Sequence, residues 1–204
     1  MQTLDWIAFG AFVVVFPFYH SIYPTLAKLM PGKSAAARVD TLRHSWIEWL
    51  LDERRVVEAA QTTRNLTMVN TLLASSALIL LGFTANIAHT TTDVSRLYKL
   101  YLLMVVFAAA FSFFVTALRH IGYFNLTIGA DPKIVEEREG DAVKFFSNMI
   151  GRASHRYTHG VRTFYSAFPL FLWVQSAELF LGLTLFWGIK FILFQDFGRQ
   201  FGRK

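Results

Sequence analysis

Four long apolar stretches, residues 5–27, 66–88, 98–120 and 168–194, decide what this 204-residue chain can become. About 20 helical residues cross the hydrocarbon core of a bilayer, and every one of these stretches is long enough. A run of this length could also be a helix buried in a soluble protein. Four of them in so short a chain, with 54% hydrophobic residues and a mean hydropathy of +0.38, point instead to a polytopic membrane protein. Membrane strands would be near ten residues long with alternating faces, which these stretches are not, so the expected fold is all-α. The expectation is a single four-helix transmembrane domain over residues 1–204, with amphipathic cytoplasmic helices near 34–57 and 132–158. No Lys or Arg precedes Lys28, so the first stretch reads as helix one rather than as the core of a signal peptide.

The segments between spans carry helical periodicity. After Ser34, an N-cap candidate, apolar residues recur at Val39, Leu42, Trp46 and Trp49/Leu50, a stripe suited to a helix in the membrane interface. No Pro or Gly occurs between Lys33 and Gly82, so the second half of this segment is expected to run straight into the second span. Asp131-Pro132 reads as a helix start, and Ala142, Phe146, Met149/Ile150, Ala153 and Tyr157 repeat at helical spacing. Packing of these faces on one another beneath the bundle is the alternative to lipid contact.

Basic residues set the expected orientation. Lys28, Lys33, Arg38, Arg43, Arg54, Arg55 and Arg64 lie between the first two spans, and seven more fall from Arg119 to Arg162. Both regions are assigned to the cytoplasm and both termini to the extracytoplasmic side of the inner (plasma) membrane. The tail Arg199, Arg203, Lys204 runs against that assignment. The net charge of +6 expresses this retention signal and attraction to anionic lipid. Acidic residues such as Glu48, Asp52, Glu53 and Glu58 interrupt the basic regions, and nucleic acid is not an expected partner.

Polar chemistry concentrates at the inner ends of the spans. Gln61, Arg64, Asn65 and Met68 fall on one side of the second helix, with Leu72 and Ser75 continuing it, while Thr63, Thr67, Asn70 and Thr71 form a second strip. A helix facing only lipid would not carry so many hydrogen-bonding groups, so one face is expected to meet protein or water. Arg119 and His120 end the third span after the small-residue face Ala108, Ser112, Thr116, and Arg162 and Tyr165 precede the fourth. Arg64, Arg119 and Arg162, with Tyr165, are candidates to bind an anion or a lipid head group. Glu178 reads as the one acidic residue deep in a span, either a packing group or a proton or cation site.

Gln61-Thr-Thr-Arg64-Asn65 with Leu72-Leu-Ala-Ser-Ser76, then Phe111-Ser-Phe-Phe114 with Arg119, and His159-Gly160-Val-Arg162-Thr-Phe-Tyr165 with Phe168-Pro-Leu-Phe-Leu-Trp173, resemble the family catalogued as domain of unknown function 599. The resemblance covers most of the chain. It implies a multi-spanning membrane protein of bacteria and plants, brings no established activity, and marks Gln61, Arg64, Asn65, Gly160, Arg162, Tyr165 and Trp173 as family-pattern positions without giving them roles.

Several chemistries are set aside. The chain has no cysteine, no Gly-rich phosphate loop, no His-Glu-x-x-His and no Gly-x-Ser-x-Gly. No catalytic residue, metal or cofactor is expected. His155 and His159 share a helix face without a neighbouring carboxylate, and His20 and His120, on different helices, are the outside possibility of a haem pair. Two functions stand. One is a self-associating channel or transporter for ions or small anions, lined by Arg64 through Thr71 to Ser75 and drawing on Glu178. The other is a non-catalytic membrane subunit or scaffold that packs against other membrane proteins or lipids.

Overall fold

The computed structural model describes residues 3–29 and 35–191, so the Ser34 cap and the basic tail Arg199, Arg203, Lys204 lie outside the described residues. Among these residues the fold is all-helical, without strands: α1 (Thr3–Val13), a π-helical turn (Val14–Phe18), α2 (Tyr19–Leu29), α3 (Ala35–Asp52), α4 (Val56–Thr90), α5 (Val94–Thr127), α6 (Pro132–Glu139), α7 (Ala142–Trp173) and α8 (Ala177–Lys190). Three helical stretches, Thr3–Tyr23, Val56–Thr90 and Val94–Thr127, are long and apolar enough to cross a membrane. At 1.5 Å per residue the 35 residues of α4 extend about 52 Å, well beyond a core of about 30 Å.

Pro17 explains the π turn. Its ring nitrogen has no hydrogen to donate and its ring crowds the preceding turn, and the widened turn lets the helix continue. The Ser21 hydroxyl donates to the Pro17 carbonyl at 2.7 Å on the far side of the turn.

The expected run of the second half of this segment straight into the second span is corrected. α3 stops at Asp52, and Arg54 takes φ +51°, the left-handed position where glycine is usual. The Arg55 amide donates back to the Leu50 carbonyl at 2.9 Å, closing the helix end as glycine-terminated helices do. Arg55 then pairs with Glu53 and Glu58, both at 3.1 Å, and these partners, Glu53 first, push its pKa up. A stop at this site carries no Pro or Gly signal, which is why the composition argument runs through it.

The fourth expected span, 168–194, is interrupted among the described residues. Helix α7 takes in the predicted cytoplasmic helix and continues to Trp173, the chain turns at Val174–Ser176, and α8 has only 14 residues, about 21 Å and short of a bilayer core. Ser176 caps α8, its hydroxyl accepting from the Leu179 amide at 3.3 Å. Residues 132–158 likewise divide into α6 and α7 at Gly140, whose φ of +91° suits only glycine. The helix start at Asp131-Pro132 is observed: the Asp131 carboxylate accepts from the Lys133 amide and proline occupies the first turn.

The chain organises into two compact units, each drawing on separated stretches of sequence. Unit 1 comprises residues 1–39, 79–108 and 162–204, and its described core includes Ala8, Phe12, Phe16, Leu103, Phe107, Leu170, Trp173, Phe180 and Phe191. Here α8 runs alongside α1 in the same direction, since Phe12 meets Phe180 (5.5 Å between ring centroids) and Phe16 meets Phe191 edge-on (5.7 Å). Gly188 permits that approach: a Cβ there would lie 3.1 Å from Val15 Cγ2. Residues 162–191 therefore form a helical hairpin. Its turn lies by Asp5 and Trp173, and its two ends, Arg162 and Phe191, meet beside Tyr23 and Phe16.

Unit 2 comprises residues 40–78 and 109–161. The α7 stripe Ala142, Phe146, Ile150, Ala153 packs with Ile47 and Leu50 of α3 and with Ile121, Phe124 and Ile128 of α5. The α7 periodicity thus produces internal packing. On α3 the inward face is Ile47 and Leu50, whereas Val39, Leu42 and Trp49 of the expected stripe remain exposed.

Candidate functional site

Helix α4 sorts its polar residues between two faces. Ala59, Thr63, Asn70, Ala74 and Ala77 are buried, at a spacing that keeps them on one side. The Thr63 hydroxyl donates to Asn125 Oδ1 at 2.6 Å, and Asn70 Nδ2 donates to the Leu66 carbonyl at 2.8 Å, leaving Asn70 Oδ1 without a partner among the described residues. Thr67, half-buried, donates to the Thr63 carbonyl at 2.9 Å. The opposite side is exposed: Gln61, Arg64, Asn65, Met68, Thr71, Leu72 and Ser75. None of the side chains Gln61, Arg64, Asn65, Thr71 and Ser75 has a hydrogen-bond or ion-pair partner among the described residues. The predicted strip of Thr63, Thr67, Asn70 and Thr71 is thus divided. Thr63 and Asn70 pack inward, and Thr71 joins the outward face.

The arginines of the predicted belt are divided between the two units. Arg162 is buried in unit 1, its guanidinium 4.6 Å from the centre of the Tyr23 ring and 5.8 Å from that of Phe191. Tyr165 stacks on Trp187 at 4.7 Å in the same unit, with the Lys190 ammonium 5.9 Å from its ring centre. Arg119, in unit 2, is exposed, and its Nε donates to the Tyr123 hydroxyl at 2.8 Å. His20 packs among Phe16, Tyr19 and Phe191 of unit 1, while His120 belongs to unit 2, so each of the two histidines considered for haem sits in its own unit.

Unit 2 also contains a cleft of about 560 Å³ lined by His120, Arg152, His155, Arg156 and His159. Arg152, His155, Arg156 and His159 recur at positions i, i+3, i+4 and i+7 of α7 and so share one face. Gly160 sets how closely that helix approaches α5, because a Cβ there would fall 2.7 Å from Phe114 Cε1. Two guanidinium groups beside His155 and His159 make the pair a poor cation site. The spacing of His155 and His159 is plain in the sequence, whereas Arg152 and Arg156 on the same face were not expected at a site; the signal was four basic residues on one helical face.

The other missed cluster lies in unit 1. Lys99 Nζ donates to Asp5 Oδ1 and to the Trp173 carbonyl, each at 3.0 Å, while Trp173 Nε1 donates to Asp5 Oδ1 at 2.7 Å. The Lys99 and Asp5 side chains are both only 11% exposed, and the ammonium lies 4.9 Å from the Trp173 ring centre. Three separated segments, the starts of α1 and α5 and the end of α7, are tied there. Glu178, expected deep in a span, instead stands exposed in the first turn of α8 and accepts from the Ser176 hydroxyl.

The family model for proteins of unknown function DUF599 matches residues 7–198. The chain belongs to that family. Comparison with curated proteins and with solved structures returned no match. In this DUF599 chain the family-pattern positions divide by environment. Gly160, Arg162, Tyr165 and Trp173 hold α7 against its neighbours, and Gln61, Arg64 and Asn65 face outward.

Proposed function

We propose that this protein self-associates in the plasma membrane through the outward face of α4, and that the assembled faces line a path for ions or small anions. The observation behind this reading is that Gln61, Arg64, Asn65, Thr71 and Ser75 share one exposed face of an apolar helix and have no hydrogen-bond or ion-pair partner among the described residues. Hydrocarbon is a poor environment for such groups, because an unsatisfied polar group there costs several kcal/mol. Facing copies would supply hydrogen-bond partners and water. Arg64 at the mouth would favour anions, as rings of basic side chains do in anion pores. The activity is transport and not catalysis, and it needs no cofactor.

Orientation enters this reading through the hairpin of residues 162–191. With Thr3 outside and the Phe191 end of α8 inside, Lys190 joins the cytoplasmic residues, leaving Arg96 and Lys99 as the basic residues outside among those described, and this reading replaces the expectation of an extracytoplasmic C-terminus. A reporter fused after Lys204 is then expected to report the cytoplasm, and one at Asp93 the outside.

A scaffold reading competes on the same face, since Met68 (61% exposed) and Leu72 (67%) would equally accept a helix of another membrane protein. Purified protein in mild detergent should be a closed oligomer, and in liposomes it should pass ions at a rate reduced by Thr71→Leu with Ser75→Leu. A monomer without flux would favour the scaffold.

A further inference from the structure

The basic cleft of unit 2 has a chemistry that the proposed path along α4 does not use. Its five lining side chains are arginines and histidines, with no carboxylate among them. Arg152 and Arg156 are exposed, stand one helical turn apart, and form no ion pair among the described residues. Like charges at this spacing repel and disfavour the helix by a few tenths of a kcal/mol. Two other arginines of unit 2 do have acids: Arg43 pairs with Asp40 at 2.6 Å, and Arg55 with Glu53 and Glu58. Arg119, from α5 next to His120 in sequence, adds a third guanidinium without an acid among the described residues.

The walls are fixed rather than loose. Phe113 of α5 lies 5.8 Å from the His159 ring and 6.0 Å from the Arg156 guanidinium, and the close approach of Gly160 to Phe114 holds α7 at that distance. Guanidinium groups offer planar pairs of donors that match phosphate oxygens, and imidazoles add single donors to the remaining oxygens. From these observations we infer that the cleft binds a phosphate group, with Arg152 and Arg156 as the principal donors and His120, His155 and His159 completing the shell.

The phosphate belongs either to a phospholipid head group or to a free phosphorylated molecule. Position favours neither by itself, since α5 is one of the helices suited to crossing a membrane and its His120 lies toward the helix end. The full chain, purified and stripped of lipid, is titrated with inorganic pyrophosphate in detergent. In parallel it is placed in phosphatidylcholine nanodiscs with and without phosphatidic acid, and bound phosphatidic acid is measured.

Saturable pyrophosphate binding identifies a free phosphorylated ligand, and retention of phosphatidic acid alone identifies a head group. In either case Arg152→Gln with Arg156→Gln should weaken binding by tenfold or more, about what losing one or two charge-assisted hydrogen bonds produces. His155→Gln, a milder change kept as a second variant should the double one misfold, should weaken it several-fold. Arg96→Gln, elsewhere in the chain, should leave it unchanged. Absence of both kinds of binding, or equal weakening by Arg96→Gln, overturns the inference.

Discussion

Lys99 and Arg64 are both cations on helices long and apolar enough to cross a membrane, and the chain treats them in opposite ways. Lys99 is buried and has an acid, a carbonyl and an aromatic face within reach. Arg64 is exposed and has no hydrogen-bond or ion-pair partner among the described residues. The buried cation is thus part of the fold, tying α1, α5 and α7 together. The exposed one, like the arginines of the cleft, has no ion pair among the described residues, and is proposed to be satisfied from outside the chain. Mutations at the first kind of site should register as lost stability, and mutations at the second kind as lost association or binding.

The largest effect is expected at the buried pair. Asp5→Leu strands the Lys99 ammonium and removes the acceptor of the Trp173 indole, and should cost about 3–5 kcal/mol in thermal or denaturant unfolding. The double change Asp5→Leu with Lys99→Met should recover most of that loss, because a buried pair replaced by well-packed apolar groups is often neutral. If Asp5→Leu unfolds like the parent, the pair is not structural and the contrast with Arg64 fails.

A smaller effect is expected at Gly160→Ala. The added methyl would sit 2.7 Å from Phe114, so α7 must shift or the ring must turn, costing about 1–3 kcal/mol. Phe114→Leu on the same chain should relieve part of it, and calorimetry of the single and double variants measures the coupling. Independent, additive losses would show that α7 does not depend on this contact.

Arg64→Lys is the smallest change in stability, within about 0.5 kcal/mol, because no hydrogen bond or ion pair to a described residue is lost. It should nevertheless weaken assembly, since an ammonium does not replace a planar guanidinium that bonds to several groups at once. Sedimentation or native mass measurement in detergent separates the two. Unchanged assembly would make Arg64 a simple anchor at the membrane surface.

These contrasts were only partly legible in the sequence. The spans 66–88 and 98–120 are readable because no Pro interrupts their apolar runs, and α4 and α5 contain them whole. The fourth run is less readable because hydropathy carries no direction: the end of α7 and the short α8, joined by a turn, sum to the same length as one crossing. The clue lay in Ser176 and Glu178, a cap followed by an acid in the first turn, read instead as an acid buried mid-span. Arg54 hides the end of α3 because it takes a conformation that usually announces itself through glycine. The Asp5–Lys99 pair joins residues 94 positions apart, and only the packing of α1 against α5 brings them to 3.0 Å. On α4 the sequence identifies a polar helix but not which polar groups its own fold consumes, and the division of Thr63 and Asn70 from Arg64, Thr71 and Ser75 needed the neighbouring helices.

The claim that the outward face of α4 meets another copy can be tested most directly with single cysteines, since the chain contains none of its own. Met68→Cys and Leu72→Cys lie on the exposed face, and Ala74→Cys and Ala77→Cys on the buried one. Mild oxidation in native membranes should give disulfide-linked dimers of the first two variants and leave the second two monomeric. Dimers from neither pair, or from both pairs equally, would contradict self-association on this face.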